Sequence, residues 1–426
     1  MPDTAYVFIY LPGEVHTTVA GRFDLDNTVS PAVGQFVYGQ SYLSNPAAVP
    51  LDPIALPLRE QLFRTTLMSG FFGVMRDAIP DDWGRHVATK LYGSKFQVLF
   101  DYLWLPTADR MGALAFGPTS LSAVEEKPLL HWATVQNTVY LDALEKIDRD
   151  APLTSAEQEV ALLFGAGTTA GGARPKFTTI KDNAIWLAKL NRHSDRFNEV
   201  RVETAMLDLA AACGIDVPEH DMQHVHGQDI LLVKRFDRAL TAAGVVRHRM
   251  VSATTVFHAD EAVAQYSFTG SYLRFSRELA RWTVTGDRDR RQLFRRIAFN
   301  ALTSATDDHE RNHALVADEA QYRLSPAFDL VPKPSNTQRR LLALVIGEYG
   351  AVATRENLLS RADVFQLSDQ AANDIIDEVQ QIVRTQWRER MVARDVGAED
   401  IAKIAGCFDP AWFESQSPPP GTSISR

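Results

Sequence analysis

Asp307 and Asn312 stand in the run Thr306-Asp307-Asp308-His309-Glu310-Arg311-Asn312, and Asp329 follows in Ala327-Phe328-Asp329-Leu330. The D-x-x-x-x-N spacing places a carboxylate that can orient a hydroxyl and accept its proton near an amide carbonyl that can hold a hard cation. A second carboxylate downstream can bridge that cation to phosphate oxygens. The chemistry this set could perform is magnesium-assisted phosphoryl transfer, with Asp307 catalytic and Asn312 and Asp329 as Mg²⁺ ligands. The competing reading is a polar loop in which Asp307 caps a short helix.

Phosphoryl transfer also needs a cradle and a cation for the phosphates of ATP. The cradle candidate is Gly165 to Ala173, in which Thr169, Ala170, Gly171, Gly172 and Ala173 form the nucleotide-facing part. Glycines let successive backbone N–H groups turn toward an anion without a side chain in the way. The run is neither a Walker A loop nor a spaced G-x-G-x-x-G, and an ordinary flexible loop competes with the phosphate reading. Lys176, just downstream, either reaches phosphate or solvates its strand. Lys189 is the cation candidate, because it interrupts the apolar strand Ile185-Trp186-Leu187-Ala188-Lys189-Leu190. A strand-edge lysine is the plain alternative. Glu203 on the next helix could pair with Lys189, or be a surface glutamate.

The same stretch spells His309-Glu310-Arg311-Asn312-His313, a literal H-E-x-x-H. As a zinc site this needs one continuous helix carrying both histidines on one face. The upstream apolar periodicity stops at Ser304 to Asp308, and no third-ligand signature follows at helical spacing. The motif is therefore read as a chance match.

The elements that must position these groups fall into three sections, of α+β class. Residues 1–125 read as a small α+β module, with strands at Tyr6–Leu11, Gly34–Leu43 and Met111–Phe116. Within it, Pro80 breaks the chain before Asp81-Asp82-Trp83, and Trp83 reads as a packing anchor. Residues 126–238 hold a hairpin, Lys176–Ile180 and Ala184–Leu190, around a Lys-Asp-Asn turn. A helix over Val200–Cys213, closed by Gly214, and a strand over Ile230–Val233 follow. Residues 239–412 are mainly helical, with one apolar stripe on Leu293, Phe294, Ile297, Ala298, Ala301 and Leu302. A later helix runs from Asp369 to Met391, capped by Ser368. Residues 413–426, rich in Ser and Pro, read as a disordered tail.

Composition excludes several classes. The chain has 426 residues, 45% hydrophobic and 23% charged, which is ordinary for a folded globular protein. A net charge of -9 argues against broad nucleic-acid binding. The arginines between Arg281 and Arg296, interrupted by Asp287 and Asp289, read as a solvated helix face rather than a docking patch. No apolar run is long enough to span a membrane. Two cysteines, Cys213 and Cys407, support neither a disulfide framework nor a zinc site. With no secretory signal at Met1-Pro2-Asp3-Thr4, the expectation is a cytoplasmic protein.

Four segments resemble HipA-type serine/threonine kinases, the toxin halves of bacterial type II toxin–antitoxin pairs. They are RDAIPDDWGRH at 76–86, TAGGARPKF at 169–177, VKRFDR at 233–238, and TDDHERNHAL with SPAFDLVP around 306–332. The resemblance implies a protein-kinase-like two-lobed fold with an N-terminal α+β subdomain and a mainly helical C-lobe. It makes Asp307 the catalytic aspartate, gives Asn312 and Asp329 to Mg²⁺, and sets Lys189 on the ATP phosphates. Val233, Lys234 and Phe236 would line the adenine at the hinge. It further implies autophosphorylation in the glycine-rich loop. Here Thr169, with Thr168 beside it, stands where the family usually has serine. The implied partners are a small helix-turn-helix antitoxin (HipB-like), with DNA reached only through it, and a protein substrate such as an aminoacyl-tRNA synthetase. His248 and Ser252 match a recurrent stretch and receive no role. Two other readings stay open: a nucleotide-binding module that grips an antitoxin without turnover, and a small-molecule kinase.

Overall fold

The structure is a computed structural model and describes residues 3–135, 138–163, 172, 174–258, 270–317, 321–335, 337 and 339–415. The chain divides into two compact units. One comprises Met1–Asp195, Asp221–Asp260 and Val316–Gln321; the other comprises Arg196–His220, Glu261–Leu315 and Tyr322–Arg426.

The first unit holds two five-stranded sheets. The N-terminal sheet contains β1 (Asp3–Tyr10), β2 (Thr17–Asp26), β3 (Val33–Tyr38), β4 (Phe63–Thr65) and β5 (Leu114–Gly117), in the order β4-β3-β2-β1-β5. All four neighbouring pairs in it are antiparallel. Alternation drives β1: Ala5, Val7 and Ile9 are fully buried, as a strand with one face on a core requires. Phe23 gathers Phe71, Phe72 and Phe100 around it, with ring centroids 5.4–6.3 Å away. The strand expected over Gly34–Leu43 ends at Tyr38, and Gln40–Leu43 is a short helix. Aromatic content could not reveal that break, because Tyr42 is buried from a helix as readily as from a strand.

The second sheet contains β6 (Leu130–His131), β7 (Lys176–Lys181), β8 (Ala184–Leu190), β9 (His220–Val225) and β10 (Gln228–Lys234), in the order β6-β7-β8-β10-β9. The expected hairpin is β7–β8. Its turn residues Asp182 and Asn183 have φ of 49° and 55°, the left-handed pair that a tight two-residue hairpin needs. Asp and Asn tolerate that region better than other non-glycine residues.

Between the two sheets in sequence, the helix Gly73–Asp77 stops ahead of Pro80 and a new helix, Asp82–Tyr92, begins. Asp81 is its N-cap, its Oδ1 accepting the Gly84 N–H at 2.7 Å. Proline thus breaks the chain where expected, and the residue after it restarts the helix.

The second unit is mainly helical. The helix Glu199–Ala212 is capped by Asn198 and stops at Gly214, whose φ is +73°. The helix Gly286–Thr303 packs against Tyr272–Trp282 and against Asp369–Ala393, and its buried stripe is the one expected from the sequence. Ser368 caps Asp369–Ala393 by accepting the Ala371 N–H. The arginine run differs from a purely solvated face. Arg288 and Arg295 do pair with Asp216 and Glu378, but Arg296 is buried and donates to the Ser325 carbonyl. Periodicity counts arginine as polar, although its planar fork can be buried once carbonyls satisfy it.

Candidate functional site

The aspartate-rich loop is built by the end of the helix Gly286–Thr303. Ser304 turns left-handed there, with φ of 51°, and the Ala305 N–H returns to the Asn300 carbonyl. The chain then leaves the helix axis, so Asp307 projects with its side chain 62% exposed. A single 3₁₀ turn at Glu310–Asn312 brings the chain back. That turn carries Asn312 over the loop, and its Nδ2 donates to the Asp307 carbonyl at 2.7 Å. With the amide N–H committed to the backbone, the Asn312 carbonyl oxygen is the end that could accept a cation. Lys333 Nζ stands 3.6 Å from the Asp307 carboxylate.

Asp329 reaches the same neighbourhood by anchoring at both ends of its segment. The Ser325 N–H donates to the Ala314 carbonyl, just past the loop, and the Lys333 N–H donates to the Ser304 carbonyl, where the loop begins. Arg296 and the Asp216 carbonyl hold Ser325 and Ala327 in between. Asp329 itself has φ of 60°, a left-handed backbone that tertiary structure must enforce on a non-glycine residue. Both ends of its segment are therefore tied to the flanks of the Asp307 loop.

A buried polar network, which the sequence reading passed over, supports the loop from behind. Asp308, next to the exposed Asp307, faces the interior. It accepts the Ala343 N–H at 2.8 Å and the Tyr272 hydroxyl. His313 Nε2 lies 2.9 Å from the same hydroxyl and 3.3 Å from the Asp308 carbonyl. Burial pushes the Asp308 carboxyl up to about 6, against the pull of the Tyr272 hydrogen bond. Burial, helped by Arg296, lowers the His313 imidazole to about 3, so it is neutral. The available signal was the polar Tyr272, Asp308 and His313 inside apolar surroundings, which only contact information can link.

This geometry also decides the H-E-x-x-H question. His309 and His313 flank a 3₁₀ turn in extended conformations, with ψ of 174° and 136°. They do not stack one helical turn apart, and His313 is engaged with Tyr272. Among the described residues no group of three or more His, Cys, Asp or Glu could hold a metal ion. The remaining donors, an amide carbonyl and a carboxylate, are hard oxygens that fit Mg²⁺ bound through few protein groups plus phosphates.

The first unit carries the other candidates. In the sheet, Lys176 pairs directly with Lys189, Leu231 with Lys189, and Val233 with Leu187. Side chains alternate along a strand, so Lys176, Lys189 and Val233 share one face, while Lys234 pairs with Trp186 on the other. Lys189 is 7% exposed, and Lys234 is exposed. Lys176 forms a buried ion pair with Asp81 at 2.7 Å and donates to the Gly172 carbonyl at 3.0 Å. Thr168, Thr169, Ala170, Gly171 and Ala173 lie outside the described residues. Gly172, with φ of +102°, is the described end of that run. Glu203, in the second unit, is buried rather than on a surface.

Phe236 follows β10 in a segment clamped by charge. Arg235 bridges Asp109 and Asp237, and Asp237 accepts the Gly112 N–H at 3.1 Å. Arg238 donates to the Gly112 and Arg110 carbonyls. The Arg235 and Arg238 guanidiniums hold the Asp237 carboxyl far below its ordinary range despite burial. The charged residues of VKRFDR thus fix the backbone on which Val233 and Phe236 sit.

Comparison with known proteins bears on the whole chain. Residues 168–387, more than half of it, match the family described as the HipA-like C-terminal domain, and residues 14–117 match the HipA N-terminal domain. Y4mE of Sinorhizobium fredii, whose name proposes it as a kinase, is 23% identical over 315 residues, covering 70% of this chain and 71% of its own. The solved complex of Shewanella oneidensis MR-1 HipA with HipB and its operator DNA contains a chain of the same fold. That chain superposes with a TM-score of 0.67 at 16% identity, over 95% of both chains. The Helicobacter pylori proinflammatory kinase CtkA aligns at a TM-score of 0.37 and 13% identity, over 56% of this chain and 91% of its own. With consecutive segments matched to the two HipA domains, the chain belongs to the HipA family.

Proposed function

We propose that this chain is an ATP- and Mg²⁺-dependent serine/threonine protein kinase serving as the toxin of a toxin–antitoxin pair. The observation that carries the reading is the loop in which Asn312 folds onto the Asp307 carbonyl while the Asp307 carboxylate projects outward. Asp307 then accepts the proton of the attacking hydroxyl and aligns its oxygen. Asn312 and Asp329 would hold Mg²⁺, which when bound would neutralise phosphate charge. Lys189 grips phosphate from its strand. Backbone N–H groups from Thr169 to Ala173 cradle the phosphates, while Val233, Lys234 and Phe236 line the adenine.

Family membership and the Shewanella complex support a HipB-like helix-turn-helix antitoxin as partner, with DNA reached through it. The substrate is a protein hydroxyl, such as one on an aminoacyl-tRNA synthetase, and Thr169 or Thr168 is the autophosphorylation site. A phosphate there adds about -1.5 to -2 charges to the cradle.

The test is Mg²⁺-dependent transfer of labelled γ-phosphate to the protein itself or to cell extract. Asp307→Asn should lower transfer by about 10²- to 10⁴-fold, the usual worth of a positioned base, with nucleotide still bound. Asp329→Ala should lose both transfer and the Mg²⁺ dependence of nucleotide binding. Equal labelling by wild type and both variants would sink the proposal. Tight antitoxin binding without any labelling would favour the non-catalytic module.

A further inference from the structure

The motif RDAIPDDWGRH has no role in the chemistry above, yet it meets the strand that follows the glycine-rich run. Asp81 uses its two oxygens differently. Oδ1 caps the helix Asp82–Tyr92 through the Gly84 N–H at 2.7 Å, and Oδ2 pairs with the Lys176 ammonium at 2.7 Å. Both side chains are almost fully buried, at 1% and 3% exposed. Two residues on, Trp83 donates its indole N–H to the Lys176 carbonyl at 3.1 Å. Lys176 completes the set by donating to the Gly172 carbonyl at 3.0 Å. One helix N-terminus therefore holds both the side chain and the backbone of Lys176, and through it Gly172.

Lys176 also sits directly opposite Lys189 across β7 and β8. Like charges in that relation repel. Asp81 neutralises one of them, which leaves Lys189 free of that repulsion on the face it shares with Val233.

We infer that Asp81 and Trp83 are positioning residues for the nucleotide-binding strand, and that Lys176 is their anchor rather than a direct phosphate contact. The N-terminal domain thereby sets the end of the glycine-rich run at Gly172. This rests on the nucleotide-binding reading above.

The sign of one substitution separates the two roles for Lys176. Asp81→Asn keeps an oxygen to cap Gly84 and removes only the charge that engages Lys176. If Asp81 positions the strand, the KM for ATP rises about tenfold or more with kcat at saturating ATP little changed. If Lys176 instead contacts phosphate, releasing it from Asp81 lowers the KM, and the inference falls. Hydrogen exchange of the amides in 174–181, measured without nucleotide, should quicken in the variant. Unchanged exchange also overturns the inference, and this arm reads the clamp even if wild type binds no ATP, the result that would instead defeat the kinase reading. Trp83→Phe removes the indole donor and leaves both charges, so it guards against misfolding of the charge variant. It should raise exchange and KM in the same direction, whereas a direct phosphate role for Lys176 predicts no change in either.

Discussion

At the scale of single residues, neighbours in sequence can have opposite fates. Asp307 is exposed and Asp308 is buried, because the chain leaves the helix at the left-handed Ser304 and turns one carboxylate outward and the next inward. Asp308 and His313 make opposed contributions to stability. The Asp308 carboxyl is raised to about 6 from 3.8, so its contribution is full below about 4 and is lost as pH rises to about 6. The His313 imidazole is lowered to about 3 from 6.5, so its contribution is full above about 6.5 and is lost as pH falls toward 3. Between about pH 4 and 6 the folded state carries one proton on Asp308 and the unfolded state one on the histidine, and the two slopes cancel. Asp308→Asn removes one slope only. Its stability by urea unfolding should therefore fall by about 1.4 kcal/mol per pH unit more steeply than wild type on acidification from pH 6 to 4. Parallel curves for the two proteins would refute this assignment. Lys333→Ala breaks only a half-exposed pair with Asp307, and its stability cost should stay within about 1 kcal/mol.

At the scale of elements, helix ends carry much of the specification. Ser368 donates no charge and fills no core, yet its side chain satisfies the Ala371 N–H at the start of the helix Asp369–Ala393. Ser368→Ala should cost about 1 kcal/mol by denaturant titration, and Ser368→Asp should restore it. The β7–β8 hairpin was legible because Lys-Asp-Asn between two apolar runs names a turn with left-handed residues. The break within Gly34–Leu43 was not, since the same aromatic residues serve a strand and a short helix. The arginine run is not a purely solvated face, and charge patterning cannot show this because it does not see the Ser325 carbonyl that receives Arg296.

At the scale of the whole molecule, each unit has its own core, and both thiols lie in the second. Burial pushes the Cys213 thiol up to about 12 and the Cys407 thiol up to about 11, and neither has meaningful exposure. A thiol reagent at neutral pH should leave both untouched in the native protein and titrate two equivalents once denaturant unfolds the second unit. Reaction in the native state would show that this core opens readily. Among the described residues, no helix is long and apolar enough to cross a membrane.

The sequence by itself determined the spacing of Asp307 and Asn312, the hairpin that carries Lys176 and Lys189, the amphipathic helices and the family resemblance. These are local or linear properties, set by backbone periodicity and by side-chain chemistry at fixed offsets. Tertiary structure alone decided that Asp308 faces inward, that Asp81 reaches Lys176 across 95 positions, and that Lys176, Lys189 and Val233 share a face. Those outcomes depend on long-range pairing and on which buried charges find partners, and neither is written in the spacing of residues along the chain.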